Sequence, residues 1–244
     1  MSTVVIADDD LITLKNIFNY IIQKNNGIKV LGLTSDGTEV LKYIDKYMPD
    51  ILLLDLMMPK LNGLDVLDIL LENKEKYLKK MKIIIISSYI DKLYKENKYS
   101  KYIYEVLPKP LNIDKLVEIL NKIDNEKEKI KISQYIDSEL NKFMFNKGSN
   151  SYKYLSDTIY LVLLEKRRNF ELESDIYLKV AKLNNKKSEK MIKWAIEKLL
   201  YNMYINTRQE IIKEYFNFIE DTKPTTKLFI RSIVENYNRK KNKR

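Results

Sequence analysis

The chain has 244 residues, neither cysteine nor histidine, and a formal net charge of +10. Missing cysteine excludes disulfides and thiolate metal sites and fits a reducing compartment, while missing histidine excludes Ser-His-Asp and Cys-His nucleophile pairs and imidazole zinc sites. No apolar run approaches the roughly 20 residues that span a bilayer. The start MSTVVIADDD lacks the basic-then-apolar order of a secretory signal, so a soluble, cytoplasmic chain with no membrane partner is expected. The length provides for one large or two ordinary domains. Residues 1–124 hold 18 lysines against 18 acidic residues, whereas residues 125–244 hold 26 basic against 16 acidic, including all six arginines. The C-terminal half is therefore the candidate for meeting a polyanion, although a wet lysine-rich surface gives the same count.

In chain order, VVIA (4–7), IKVLGL (28–33), ILLL (51–54), KIIIIS (82–87) and YIYEVL (102–107) read as five strands. Between them Leu14, Ile17, Phe18 and Ile21, then Val40, Leu41 and Ile44, then Leu64, Leu67 and Leu71 recur at helical spacing, as do Ile113, Leu116, Leu120 and Ile123. Strands alternating with helices predict a parallel sheet covered on both faces. The segment from Tyr89 to Lys101 carries the weakest helical pattern. From Asn125 to Asn150 the pattern loosens, and a partly helical linker over 125–149 is expected. Beyond it, helical periodicity at 154–166, 174–183, 188–204, 208–219 and 226–238 predicts an all-α domain over 150–244.

Asp8, Asp9 and Asp10 follow the first strand directly, where one acid capping the next helix is the plain expectation. Asp55, at the end of ILLL, changes the weighing. Two acidic ends on neighbouring strands bring carboxylates within a few ångströms, where they repel unless a cation lies between them. Magnesium suits such a site, as would another divalent ion such as calcium or manganese, because it takes one or two carboxylates and fills its remaining positions with water and phosphate oxygens. KIIIIS presents Ser87 at its end, and VLPKP presents Lys109 between two prolines, with Lys109-Pro110 a candidate cis bond. A carboxylate, a divalent ion, a hydroxyl and an ammonium in one crevice have the chemistry of phosphoryl transfer.

ADDD, LLDLMMPKLNG, IISS and LPKP, in that order, resemble the signature segments of the receiver domains of two-component response regulators, over residues 1 to about 124. The resemblance implies a flavodoxin-like, doubly wound fold, with Asp55 accepting a phosphoryl group from a phosphohistidine-bearing kinase or phosphotransferase. It implies that Asp9 and Asp55 hold Mg²⁺ with the Met57 carbonyl, that Asp8 acts through water, and that Ser87 and Lys109 contact the phosphoryl oxygens. Three residues before the lysine the family usually has an aromatic switch residue; here that position is Val106. Tyr104, expected on the same strand face, is the candidate substitute.

In the second half, a short helix ending near Leu183, a turn and a helix beginning after Ser188, a candidate N-cap, read as a helix-turn-helix. Ile192, Ala195, Ile196, Leu199, Leu200 and Met203 form its apolar stripe, while Lys187, Lys190, Lys193 and Trp194 fall on the other side. A basic face at the start of the second helix is what major-groove docking requires, although an amphipathic helix with a wet lysine face shows the same period. YKYL, VAK followed by SEKMIKWAIEKL, and KPTTKLFIRSIVENY resemble the helical effector domain of the stage 0 sporulation protein A family. The resulting DNA-binding set is Lys186, Lys187, Ser188, Lys190, Lys193 and Trp194, with Lys223 and Arg231 as candidate phosphate contacts or solvated groups and Thr225 or Thr226 capping the last helix. Where that family carries arginines on the recognition helix, lysine keeps the charge and loses the bidentate fork that reads guanine.

Together these resemblances imply a phosphorylation-activated, DNA-binding transcription regulator of a phosphorelay that controls sporulation initiation and is not an enzyme. They imply double-stranded DNA, RNA polymerase and a second copy of the chain, paired on phosphorylation, as partners. The competing expectation is a receiver with a helical protein-interaction output that does not bind DNA.

Overall fold

A computed structural model describes residues 1–24, 27–89, 98–166, 170–186, 188–207, 209–216 and 224–242. The chain forms two compact units, Met1–Glu128 and Lys129–Arg244. No described helix is long and apolar enough to cross a membrane.

In the first unit β1 (Ser2–Ala7), β2 (Ile28–Thr34), β3 (Ile51–Leu54), β4 (Lys82–Ser87) and β5 (Ile103–Pro108) form one sheet. They pair in parallel in the order β2-β1-β3-β4-β5. Helices α1 (Leu11–Lys24), α2 (Gly37–Tyr47), α3 (Gly63–Glu72), the single turn α4 (Lys74–Tyr77) and the start of α5 (Ile113–Leu140) connect and cover the strands. The run ILLL is buried on both faces, as its lack of alternation requires. Leu52 and Leu54 pack with Val40, Ile44, Val66 and Leu67 of α2 and α3, while Ile51 and Leu53 pack with Leu14, Ile17, Leu116 and Leu120 of α1 and α5. Each such side chain contributes about 1.5–3 kcal/mol by leaving water. Strand order reverses between β1 and β3, which places the ligand crevice of an open α/β sheet at the ends carrying Asp8 and Asp55.

The loop from Asp55 to Asn62 is shaped by two close backbone approaches. A Cβ on Gly63 would lie 2.2 Å from the Asp55 carbonyl oxygen, and one on Gly37 would lie 2.1 Å from that of Leu61, so only glycine fits at either position. Asn62 then caps α3, accepting from the Leu64 and Asp65 N–H groups while Asp65 accepts from its own.

One strand expectation is corrected. Ile83 pairs with Ile103 but Ile84 pairs with Glu105, so β5 carries an extra residue at Tyr104. A bulge of this kind reverses the alternation of side chains. Tyr104 packs on the α1/α5 side, with Lys82 and Lys122 at 5.2 and 6.0 Å from its ring, whereas Val106 packs on the α2/α3 side. Tyr104 therefore does not share the face of Val106.

The expected linker differs as well. Helix α5 runs unbroken from Ile113 to Leu140 and ends in a 3-10 turn, Asn141–Phe143. Ile132, Ile136, Leu140 and Phe143 are buried in the core of the second unit, so most of 129–149 belongs to a folded element. That unit continues with α6 (Asn150–Leu164), a π turn (Leu172–Ile176), α7 (Tyr177–Leu183), α8 (Glu189–Asn206), α9 (Gln209–Tyr215) and α10 (Thr226–Asn242). Ser149 caps α6 through the Tyr152 N–H at 3.1 Å, and Thr225 caps α10 through the Leu228 N–H at 3.2 Å. Residues 90–97, on which most of the weak helical pattern after Tyr89 falls, lie outside the described residues.

Candidate functional site

The crevice at the sheet's C-terminal edge is built by strand ends. Asp8 follows β1 and is held by its own N–H on the Thr34 carbonyl at 3.1 Å; Asp55 follows β3 with its N–H on the Ala7 carbonyl at 2.9 Å. Both side chains are buried, whereas Asp9 is exposed, and one carboxylate oxygen from each of Asp8, Asp9 and Asp55 lies within 4.8 Å of the others. Asp10 caps α1, its carboxylate accepting from the Ile12 N–H and the Thr13 hydroxyl, so one acid of the run serves the helix while its neighbours are left for the crevice.

Lys109 follows β5, preceding a cis peptide to Pro110, and its Nζ reaches Asp55 Oδ2 at 2.5 Å and Asp8 Oδ1 at 3.0 Å. Burial works against the Lys109 ammonium, yet the hydrogen bonds to the two aspartates hold its pKa above the ordinary lysine value. Burial pushes the Asp8 carboxyl above the usual aspartate range, against the Asp10 N–H and Lys109. Asp55 Oδ1 accepts the Met57 N–H at 3.2 Å. Ser87 is fully buried at the end of β4, two residues past the Ile85 that pairs with Leu54, and its Oγ accepts the Tyr89 N–H at 3.1 Å.

A divalent cation fits these residues. Asp8 Oδ2 is buried with no hydrogen-bond partner among the described residues, although buried polar atoms are nearly always satisfied. A hard ion bound by carboxylate oxygens or their waters would satisfy it.

In the second unit, α7 and α8 form the helix-turn-helix. Lys186 N–H bonds to the Ala181 carbonyl at 2.8 Å, Asn185 takes a left-handed φ of 53°, and Asn184 Nδ2 donates to Asp157 on α6 at 2.8 Å. The turn read at NNKK is thus present, with Asn185 as its left-handed residue, whereas Asp157, the partner of Asn184, was not singled out from sequence. Lys186, Ser188, Lys190 and Trp194 are exposed, as is Arg231 on α10. Two expectations change. Ser188 has the extended backbone of a cap but makes no side-chain cap bond. Lys193 sits on the flank of α8, partly buried in a cavity of about 330 Å³ that Glu171, Glu197, Thr225 and Lys227 also line, because the start of α10 closes that side. Lys187 and Lys223 lie outside the described residues. Lys198, missed from sequence, holds its Nζ 4.9 Å from the Trp194 ring centre.

Residues 4–121 match the response regulator receiver domain, and residues 136–237 match the sporulation initiation factor Spo0A C terminal, a helical DNA-binding domain. The chain belongs to the response regulators. This response regulator is 24% identical to the transcriptional regulatory protein BtsR of Salmonella typhi over 133 residues, 54% of this chain and 52% of BtsR. It is 30% identical to a response regulatory protein of Staphylococcus epidermidis over 121 residues, 50% of this chain and 46% of the relative. It thus spans about half the length of the curated relatives it matches. Among solved structures, the receiver domain of the Francisella response regulator 1452 is 29% identical with a TM-score of 0.43, over 50% of this chain and 96% of that domain.

Proposed function

We propose that this response regulator is a cytoplasmic transcription regulator that accepts a phosphoryl group on Asp55 from a phosphohistidine-bearing kinase or phosphotransferase. Once modified it binds double-stranded DNA through α7 and α8 and acts with RNA polymerase, with sporulation initiation as the setting. The observation that carries the reading is the Lys109 ammonium lying within 3.0 Å of both Asp8 and Asp55, beside Asp9, at the sheet's switch point. Asp9, Asp55 and the Met57 carbonyl would hold Mg²⁺, with Asp8 acting through water. When bound, the ion neutralises charge on the transferring group. A carboxylate oxygen of Asp55 attacks phosphorus; the O–P bond forms as the N–P bond of the phosphohistidine breaks, and the imidazole leaves. Lys109 then holds a phosphoryl oxygen in place of a carboxylate, and Ser87 donates its hydroxyl to another. That exchange of partners biases the receiver between two arrangements and favours pairing of two copies, so that two helix-turn-helix units bind adjacent half-sites.

The test compares phosphorylated wild type with Asp55→Ala. Loss of the phosphoryl mass and weaker binding to selected operator DNA are expected in the variant; equal DNA affinity for both proteins would overturn phosphorylation control. A second reading has one observation in its favour: Trp194, Tyr201 and Ile205 are exposed along α8, as a protein-docking face would be. DNA affinity that falls steeply between about 50 and 200 mM salt, with a slope smaller by about one in Lys190→Ala, separates the first reading from the second.

A further inference from the structure

We infer that Trp194 is the base-reading side chain of α8 and that the group it recognises is the C5-methyl of thymine; this rests on the DNA-binding reading above. Buried Ile192, Ala195, Ile196, Leu200 and Met203 mark the inward face of α8. At 3.6 residues per turn, Trp194 projects from the side opposite their mean direction, with Lys190 and Lys198 one turn before and after it. It is 61% exposed, and Lys190 and Lys198 are exposed too. The centre of the outward face of a groove-docked helix meets the floor of the groove, and its margins meet the phosphates. Here an indole occupies the centre, with an ammonium group one turn along the axis on either side and about 40° off its line, so charge that attracts a polyanion brackets an apolar group aimed at its floor.

The chemistry of the indole narrows that feature. Indole has one N–H donor and no acceptor, so it leaves the amino groups of adenine and cytosine unsatisfied, and its donor does not discriminate among adenine, guanine and thymine, each of which presents an acceptor in the major groove. Lys198 lies over its ring at 4.9 Å, so part of the π surface is already engaged by a cation. What remains outward is apolar area, and the apolar group exposed in the major groove is the thymine methyl. Lysines at 190 and 198 attract the polyanion without the arginine fork, and the indole adds an apolar contact that an ammonium group does not make.

The full chain, activated with beryllofluoride and Mg²⁺, is used to select duplexes from a random pool. Each thymine of the selected duplex is then replaced in turn by deoxyuridine, which removes only the methyl. For wild type, one replacement per half-site is expected to weaken binding about fourfold, the worth of one buried methyl. In Trp194→Ala, with helix content checked by circular dichroism, the same replacement is expected to change nothing. Because the chain has a single tryptophan, its emission should also respond to the duplex directly. Wild type indifferent to every replacement, or Trp194→Ala responding as wild type does, overturns the inference; steep salt dependence in the same titrations would leave the DNA-binding reading standing. Failure to select any duplex, with emission unchanged at low salt, overturns both.

Discussion

The Lys109 ammonium touches Asp55, Nζ to Oδ2 at 2.5 Å, across 54 residues of chain and over the intervening strand β4. The same nitrogen reaches Asp8. One lysine therefore supplies countercharge to two buried carboxylates, the electrostatic work that a bound dication also does.

Removing that lysine should make the fold lean on metal. Lys109→Ala is expected to lower stability without Mg²⁺ by about 1–3 kcal/mol, the usual cost of leaving buried charged groups without a hydrogen-bond partner. Added Mg²⁺ should then raise the melting midpoint of the variant more than that of wild type. Equal shifts in the two proteins would show that the lysine is not the countercharge.

Acid should weaken both units by the same route. Burial opposes ionisation of Asp50, but hydrogen bonds from Lys127 and from the Thr3 N–H and hydroxyl hold its carboxyl below the ordinary value. Burial likewise opposes Glu139, and Lys142, Lys240 and the Tyr215 hydroxyl hold it low. A lowered native pKa means that the unfolded chain binds more protons. The stabilisation is therefore complete above the ordinary carboxylate value and is lost as pH falls through the lowered native one. Asp50→Asn should be less stable than wild type by about 1–2 kcal/mol at neutral pH. Urea titrations should show that difference shrinking as pH drops below about 4; a difference independent of pH would contradict the assignment.

The strands and the crevice were legible because four of the five runs lead, at once or one residue on, to a residue with chemistry to do, at Asp8, Asp55, Ser87 and Lys109. Other features depend on neighbours that no local pattern reveals. The bulge at Tyr104 exists only relative to β4, through the shift between Ile83 and Ile84. The continuation of α5 was hidden because Ile132, Ile136 and Leu140 stand among lysines and glutamates, and because Glu139, which reads as solvated, is buried on three partners. Lys193 reads as outward until α10 is placed beside it.

The bulge predicts that Tyr104 has no part in switching. Tyr104→Ala should leave unchanged the ratio of DNA affinities with and without beryllofluoride, because the ring packs beside Lys82 and Lys122 on the face away from Val106. A fall of that ratio towards one would show that the α1/α5 face transmits the signal.

The turn between α7 and α8 is held by Asn184, whose Nδ2 donates to Asp157 Oδ2 at 2.8 Å and to the Val180 carbonyl at 3.0 Å. The first bond joins the turn to α6, and the second closes the end of α7, so one amide sets both the length of α7 and the angle at which α8 leaves. Asn184→Ala should cost about 1–2 kcal/mol of stability and weaken DNA binding, since α8 then loses a fixed approach to the groove. Asp157→Asn keeps an acceptor oxygen and should behave nearly as wild type, whereas Asp157→Ala should match Asn184→Ala. A double-mutant cycle over the two alanine variants should give a coupling of about 1 kcal/mol. A coupling near zero, with DNA affinity intact, would mean that the turn is positioned by the packing of Val180 and Ala181 alone.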